Sequence, residues 1–167
     1  MKTIVLTGMM GSGKTTIAEL LSKKLNFKNI DIDSLIEKEE KMKISEIFTQ
    51  KGENYFRQIE HEIILSSFLP DNTIISLGGG AFENSKTRKF LLENSTVIYL
   101  KTSPETIYER LKNNKTRPLL CDNMSVEKIN EILKIRKQNY KSASITINTN
   151  DKTPERIVEE ITGALND

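Results

Sequence analysis

The stretch Gly8-Met9-Met10-Gly11-Ser12-Gly13-Lys14-Thr15 constrains this chain more than any other part of it. Its glycines, lysine and hydroxyl residue occupy every fixed position of a phosphate-binding P-loop. Glycine lets the backbone turn tightly and aim its N–H groups inward at an anion. A helix that starts there adds the positive end of its dipole. Lys14 is a point charge for the β- and γ-phosphates of a nucleotide, and the Thr15 hydroxyl is an oxygen ligand of the kind Mg²⁺ prefers. The flanks fit this reading. Lys2 to Thr7 reads as a short buried strand, and Thr15 to Leu25 as a helix with Ile17, Leu20, Leu21 and Leu25 on one face. Gly11, Ser12, Gly13, Lys14, Thr15 and Thr16 are therefore expected to bind Mg-ATP.

The remaining pattern alternates strands and helices. Strands are expected at Asn29 to Ile32, Thr73 to Leu77, Thr96 to Leu100 and Ser144 to Ile147. Helices are expected at Ser34 to Glu40, Ile44 to Lys51, Glu53 to Phe68 and Ser85 to Glu93, with Gly52 separating two of them. Ser103-Pro104, Ser125 and Thr153-Pro154 read as helix starts, each a hydroxyl N-cap and two of them followed by proline. Such a chain forms a parallel sheet with helices on both faces. A mixed α+β sheet is the alternative. The polar stretch from Asn113 to Met124 reads as a mobile loop.

Composition narrows the class. At 167 residues the chain is expected to form one domain, 1–167. A chain of this size buries roughly 70% of its unfolded surface, so it needs no disulfide. The single cysteine, Cys121, excludes an internal bridge and suits a reducing compartment. Lysine plus arginine number 25 and aspartate plus glutamate 23, a net charge of +2 with no basic block, so nucleic acid is not an expected partner. No apolar run approaches the ~20 residues of a membrane span, and no secretory leader is expected. A cytoplasmic monomer acting on small molecules is expected.

The P-loop does not choose the phosphate acceptor. Asp31 and Asp33, at the end of the second strand, stand two apart on an extended chain and would face the same side. One could serve a metal and the other an acceptor hydroxyl; equally, Asp33 or Ser34 could only cap the next helix. Arg57 and Glu60 share a helix face, as do Arg136 and Tyr140. Each pair reads as a surface pair or as one side of a carboxylate-binding pocket. Gly78-Gly79-Gly80 ends the third strand, either as a flexible turn or as backbone open to close approach. Arg117 lies in the polar loop, where a cation could close over a γ-phosphate. His61 reads as a helix-surface residue, and Cys121 has no catalytic partner in view.

Together these residues resemble the shikimate kinase family. The likeness runs from Ile4 to about Pro154. It includes the P-loop, Asp31-Ile32-Asp33, Glu46-Ile47-Phe48, Gly52-Glu53, Phe56-Arg57 with Glu60, and the glycine triplet. It continues through Arg117-Pro118-Leu119-Leu120 and Arg136 with Tyr140. One departure is Lys41-Met42, where the family often has glycine. The resemblance implies a nucleoside-monophosphate-kinase-like fold: a three-layer sandwich on a five-stranded parallel sheet, a substrate-binding region at about 33–61 and a lid at about 113–124. It implies transfer of phosphate from ATP to the 3-hydroxyl of shikimate. Lys14, Asp33 and Arg117 would be catalytic. Thr15, and Asp31 through water, would hold Mg²⁺. Asp33, Phe48, Phe56, Arg57, Glu60, Gly78, Gly79, Gly80 and Arg136 would bind shikimate. Arg110, Arg117 and Pro154 would join the P-loop around the nucleotide. Gluconate and nucleoside monophosphates are rival acceptors, and a binding module without catalysis is a rival of another class.

Overall fold

The computed structural model describes residues 2–112 and 124–167. In chain order the elements are β1 (Ile4–Thr7), α1 (Lys14–Leu25), β2 (Lys28–Asp31), α2 (Ile32–Glu40), α3 (Ile44–Lys51), α4 (Glu53–Ser67) and β3 (Thr73–Ser76). After a 3-10 turn at Ala81–Glu83 come α5 (Ser85–Asn94), β4 (Thr96–Lys101), α6 (Pro104–Leu111), α7 (Val126–Tyr140), β5 (Ile145–Asn148) and α8 (Pro154–Asn166).

The strands form one five-stranded sheet in the order β2-β3-β1-β4-β5. Every pair is parallel, with Val5 opposite both Ile75 and Val97. The mixed-sheet alternative is thereby excluded. Side chains alternate across a strand, and here both faces are apolar. Ile4 and Leu6 point to one face, where Ile17 and Leu21 of α1 and Ile157 and Ile161 of α8 cover them. Val5 points to the other, against Ile36 of α2, Ile47 of α3, Phe56 and Ile64 of α4, Leu91 of α5 and Tyr140 of α7. Each such fully buried aliphatic side chain contributes about 1.5–3 kcal/mol. The result is the expected three-layer sandwich.

The helix starts follow the sequence signals. Ser103, Ser125 and Thr153 accept hydrogen bonds from the backbone N–H groups of Thr106, Lys128 and Arg156. Several element ends shift by one or two residues from expectation, and one shift bears on the site. The second strand ends at Asp31, not Ile32, because the Asp31 carboxylate accepts from Ser34 N at 2.9 Å and opens α2. Lys41, where glycine would be easy, ends α2 in the left-handed region at φ 53°. That costs roughly 1–2 kcal/mol for a side chain with a Cβ.

Chain reversal around β1 makes its carboxyl end a topological switch point, the place where an open parallel sheet exposes a ligand crevice. The P-loop follows β1, Asp31 ends β2 and the glycine triplet follows β3. Three separate sequence signals therefore meet at one edge of the sheet. The expected lid, apart from Met124, lies outside the described residues, as do Arg117, Pro118 and Cys121.

Candidate active site

A cavity of about 660 Å³ opens at this edge. One wall is the P-loop and the start of α1; the other is α2, α3, α4 and the glycine triplet. Gly13 precedes α1 at φ 93°, a conformation glycine adopts without strain, and offers no side chain to cap the helix. The free N–H groups of the first turn are thus left for an anion. Lys14 is buried, its Nζ 2.8 Å from the carbonyl oxygen of Gly8 and 3.0 Å from that of Met9. Ser12 Oγ is buried without a hydrogen-bond partner among the described residues. An orphaned buried hydroxyl is costly and suits a loop built around an absent polar group.

Thr15 and Asp31 form an oxygen pair at the same edge. Thr15 Oγ1 donates to Asp31 Oδ2 at 3.0 Å, and Ser76 Oγ donates to the same oxygen at 3.2 Å. The other Asp31 oxygen is the α2 cap. Asp31 and Asp33 both line the cavity, but not as neighbours on one strand. Asp33 belongs to the first turn of α2. The capping alternative falls to Asp31 rather than to Asp33 or Ser34.

The opposite wall is charged and tightly packed. Arg57 Nη1 donates to Glu60 Oε1 at 2.8 Å, and the Glu60 side chain is only 3% exposed. A surface ion pair is excluded. Arg57 also stacks on Phe56, its Cζ 5.1 Å from the ring centroid, and Phe56 packs against Phe48 at 4.7 Å. Burial pushes the Glu60 carboxyl up to about 7, with Arg57 pulling it down and Asp33 adding repulsion. Glu60 Oε2 has no hydrogen-bond partner among the described residues.

The glycine triplet explains why these charges fit. A Cβ on Gly78 would lie 2.7 Å from Asp33 Oδ1 and 2.8 Å from Glu60 Oε2. One on Gly80 would lie 2.5 Å from Arg57 Nη2. The carbonyl oxygen of Gly79 accepts from Arg136 Nη1 at 2.7 Å and from Tyr140 Oη at 3.2 Å. Arg57 and Arg136, on different helices far apart in sequence, therefore meet at adjacent residues of one turn. The surface-pair reading of Arg136 with Tyr140 is excluded as well.

A family model described as shikimate kinase matches residues 10–166. This chain belongs to the shikimate kinase family. A shikimate kinase of Sulfurihydrogenibium sp. is 45% identical over 161 residues, covering 96% of each chain. That of Persephonella marina is 45% identical over 165 residues, covering 99% of each. Among solved structures, the shikimate kinase from Acinetobacter baumannii in complex with shikimate superposes with a TM-score of 0.93 at 33% identity, covering 99% of this chain and 93% of that one. A sugar kinase from Janibacter sp. shares the fold alone, at 17% identity and a TM-score of 0.58.

Most residues that the shikimate kinase resemblance singled out come together. Gly11, Gly13, Lys14, Thr15, Thr16, Asp31, Asp33, Phe48, Phe56, Arg57, Glu60, Gly78, Gly79, Gly80 and Arg110 line the one cavity. Arg110 donates to the Gly11 carbonyl at 3.0 Å, holding α6 to the P-loop. Ser12 is buried within the loop, and Arg136 reaches the wall through Gly79. Pro154 does not join them: it is exposed at the start of α8, outside the residues that line the cavity. His61 is not a plain surface residue either. It is half-buried, with Nδ1 2.7 Å from Thr87 Oγ1, and ties α4 to α5. Sequence reasoning missed Met10, which packs on Gly79, and Ser76, which holds Asp31. Met10 sits at a variable position inside the P-loop, and only its apolar character on a polar loop marked it. Ser76 is a polar residue at the last position of an apolar strand, a signal that was available.

Proposed function

We propose that this protein transfers the γ-phosphoryl group of ATP to the 3-hydroxyl of shikimate, giving shikimate 3-phosphate and ADP. The observation that carries this reading is the wall formed by Asp33, Glu60 and Arg57 against Gly78 and Gly80, facing Lys14 across one cavity. It offers a carboxylate for a hydroxyl and a guanidinium for a carboxylate, side by side, opposite a phosphate cradle. Family membership and the shikimate-bound relative support the same acceptor.

Little covalent work falls to the protein in phosphoryl transfer; alignment and charge neutralisation dominate. The P-loop amides and Lys14 hold the nucleotide phosphates. Lys14 moves from its own loop's carbonyls to the transferring group as the anion arrives. Arg57 and Arg136 grip the shikimate carboxylate, Phe48 and Phe56 wall the ring, and Glu60 keeps Arg57 aimed. Asp33 orients the 3-hydroxyl and takes its proton as the new P–O bond forms. Arg117, by its family position, adds positive charge at the transferring phosphate, and Arg110 lies toward adenine. Closure of the 113–124 segment would exclude water, which otherwise competes as acceptor.

The Thr15 hydroxyl beside the Asp31 carboxylate is an oxygen-only donor set, which fits Mg²⁺. Thr15 would ligate it directly and Asp31 through water. When bound, the ion neutralises charge on the nucleotide phosphates. A cytoplasmic monomer working without nucleic acid or membrane completes the reading; no helix among the described residues is long and apolar enough to cross a membrane.

The test is ADP release by purified protein with ATP and a panel of acceptors. Shikimate-dependent turnover is expected. Turnover with gluconate or a nucleoside monophosphate in place of shikimate overturns the acceptor. ATP binding without turnover on any acceptor leaves only a binding module.

A further inference from the structure

The Gly79–Gly80 peptide is backbone that both arginines touch. Arg136 donates to its carbonyl oxygen at 2.7 Å, and Arg57 packs on Gly80 so closely that a Cβ there would be 2.5 Å from Nη2. A peptide unit is planar, so the direction of the Gly79 carbonyl also sets the direction of the Gly80 N–H. Glycines on both sides leave that plane with little steric restraint of its own. Its orientation must come from outside, and Arg136 cannot supply all of it while also meeting a substrate anion.

The second restraint is Tyr140, one helical turn beyond Arg136. Its hydroxyl donates to the same carbonyl at 3.2 Å. The ring is 1% exposed and lies flat on Tyr99 of β4, centroids 4.5 Å apart and planes 9° from parallel. The hydroxyl is therefore anchored to the central sheet, whereas Arg136 sits on a flexible stem. Asn139 also ties α7 to the 3-10 turn that follows Gly80, donating to Glu83 Oε2 at 2.9 Å. Burial pushes the phenol up to about 12, so it remains a donor across the neutral range.

We propose that Tyr140 is a positioning residue for acceptor binding: its hydroxyl fixes the Gly79–Gly80 peptide, and through that peptide the mutual placement of Arg57 and Arg136. Packing and positioning are separable here. The stack on Tyr99 belongs to the ring and survives in phenylalanine; the orientation of the peptide belongs to the hydroxyl.

The inference rests on the carboxylate-clamp reading above, and Tyr140→Phe tests it. KM for shikimate is expected to rise about five- to tenfold, the worth of one hydrogen bond, with KM for ATP and the melting temperature nearly unchanged. Because Tyr140 acts through the peptide that Arg136 holds, the effects should overlap. Tyr140→Phe added to Arg136→Lys should worsen shikimate KM by less than about twofold more. An unchanged shikimate KM in Tyr140→Phe, equal rises in both KM values, or fully multiplicative effects in the double variant each overturn the proposal. Arg136→Ala separates the two levels. If it raises shikimate KM while Tyr140→Phe does not, only this inference fails; if neither moves it, the clamp itself fails.

Discussion

The two halves of the cavity are built by different means. The nucleotide half is eight consecutive residues, Gly8 to Thr15, and its principal cation rests on carbonyls of that same loop, at 2.8 and 3.0 Å. The acceptor half is assembled from α2, α4, the turn after β3 and α7, with each charged side chain lying against a glycine or its carbonyl. One half is a local backbone structure placed on a strand. The other is a tertiary agreement among four segments, with Glu60 and part of Arg57 held away from water. Damage to the first half should remove catalysis and spare acceptor binding. Damage to the second should do the reverse, and should often disturb the fold.

The largest expected effect breaks the nucleotide half. Lys14→Met should lower kcat by about 10³-fold or more, because the charge proposed to meet the transferring phosphate is lost. Shikimate binding without nucleotide, followed by calorimetry, should be unchanged. A matched loss of shikimate affinity would mean that the halves are not independent. Next comes the acceptor half. Gly78→Ala puts a methyl group 2.7 Å from Asp33 Oδ1 and 2.8 Å from Glu60 Oε2. Neither carboxylate can retreat far, so kcat/KM for shikimate should fall about 10²-fold or more while ATP binding persists, at a stability cost of about 1–3 kcal/mol. Activity near that of the unsubstituted protein would show that the wall is softer than its spacing implies.

The same contrast explains what the sequence disclosed. The P-loop was legible because its chemistry is contiguous and its flanks carry plain strand and helix patterns. So were the strands at Thr73 and Thr96 and the caps at Ser103, Ser125 and Thr153, since each signal is local. Asp31 and Asp33 were partly misread. The alternation of Ile30 and Ile32 looks like strand, but the Asp31 carboxylate reaches Ser34 N and starts the helix at Ile32, two residues before the expected Ser34. The convergence of Arg57 and Arg136 was not legible from spacing. It is created by α4 and α7, from distant parts of the chain, meeting at the turn after β3, and only the family resemblance anticipated it. Glu60 carried no local sign of burial, because an arginine three residues away reads equally well as an exposed pair.

Arg57→Ala separates binding from packing. Loss of a charge-assisted contact to a buried carboxylate should raise shikimate KM by about 10²-fold, with KM for ATP unchanged. It also strips Glu60 of its hydrogen-bonded partner at 2.8 Å, so the folded protein should lose more stability at pH 8 than at pH 5. Equal losses at the two pH values would show that the partner does not govern the buried carboxyl.

The smallest effect concerns Glu60 alone. Its carboxyl is raised from 4.5 to about 7, first by burial. Between those values the folded protein keeps a proton that the unfolded chain has already released. Stability must therefore fall as pH rises through that window and level off above it. Glu60→Gln keeps the shape and the hydrogen-bond acceptor but carries no charge at any pH. It should match the unsubstituted protein near pH 5 and exceed it at pH 8 by on the order of 1–2 kcal/mol, less than the full shift because water follows a charge into a cavity open to solvent. Urea unfolding at the two pH values checks this. Parallel stability curves would mean that Glu60 is ionised throughout and that Arg57 outweighs burial. Opposite behaviour in binding would accompany the gain: with no anion beside it, Arg57 loses its aim, and shikimate KM should rise severalfold at pH 8 and little at pH 6. Stability bought at the expense of acceptor affinity is what a wall of buried charge predicts.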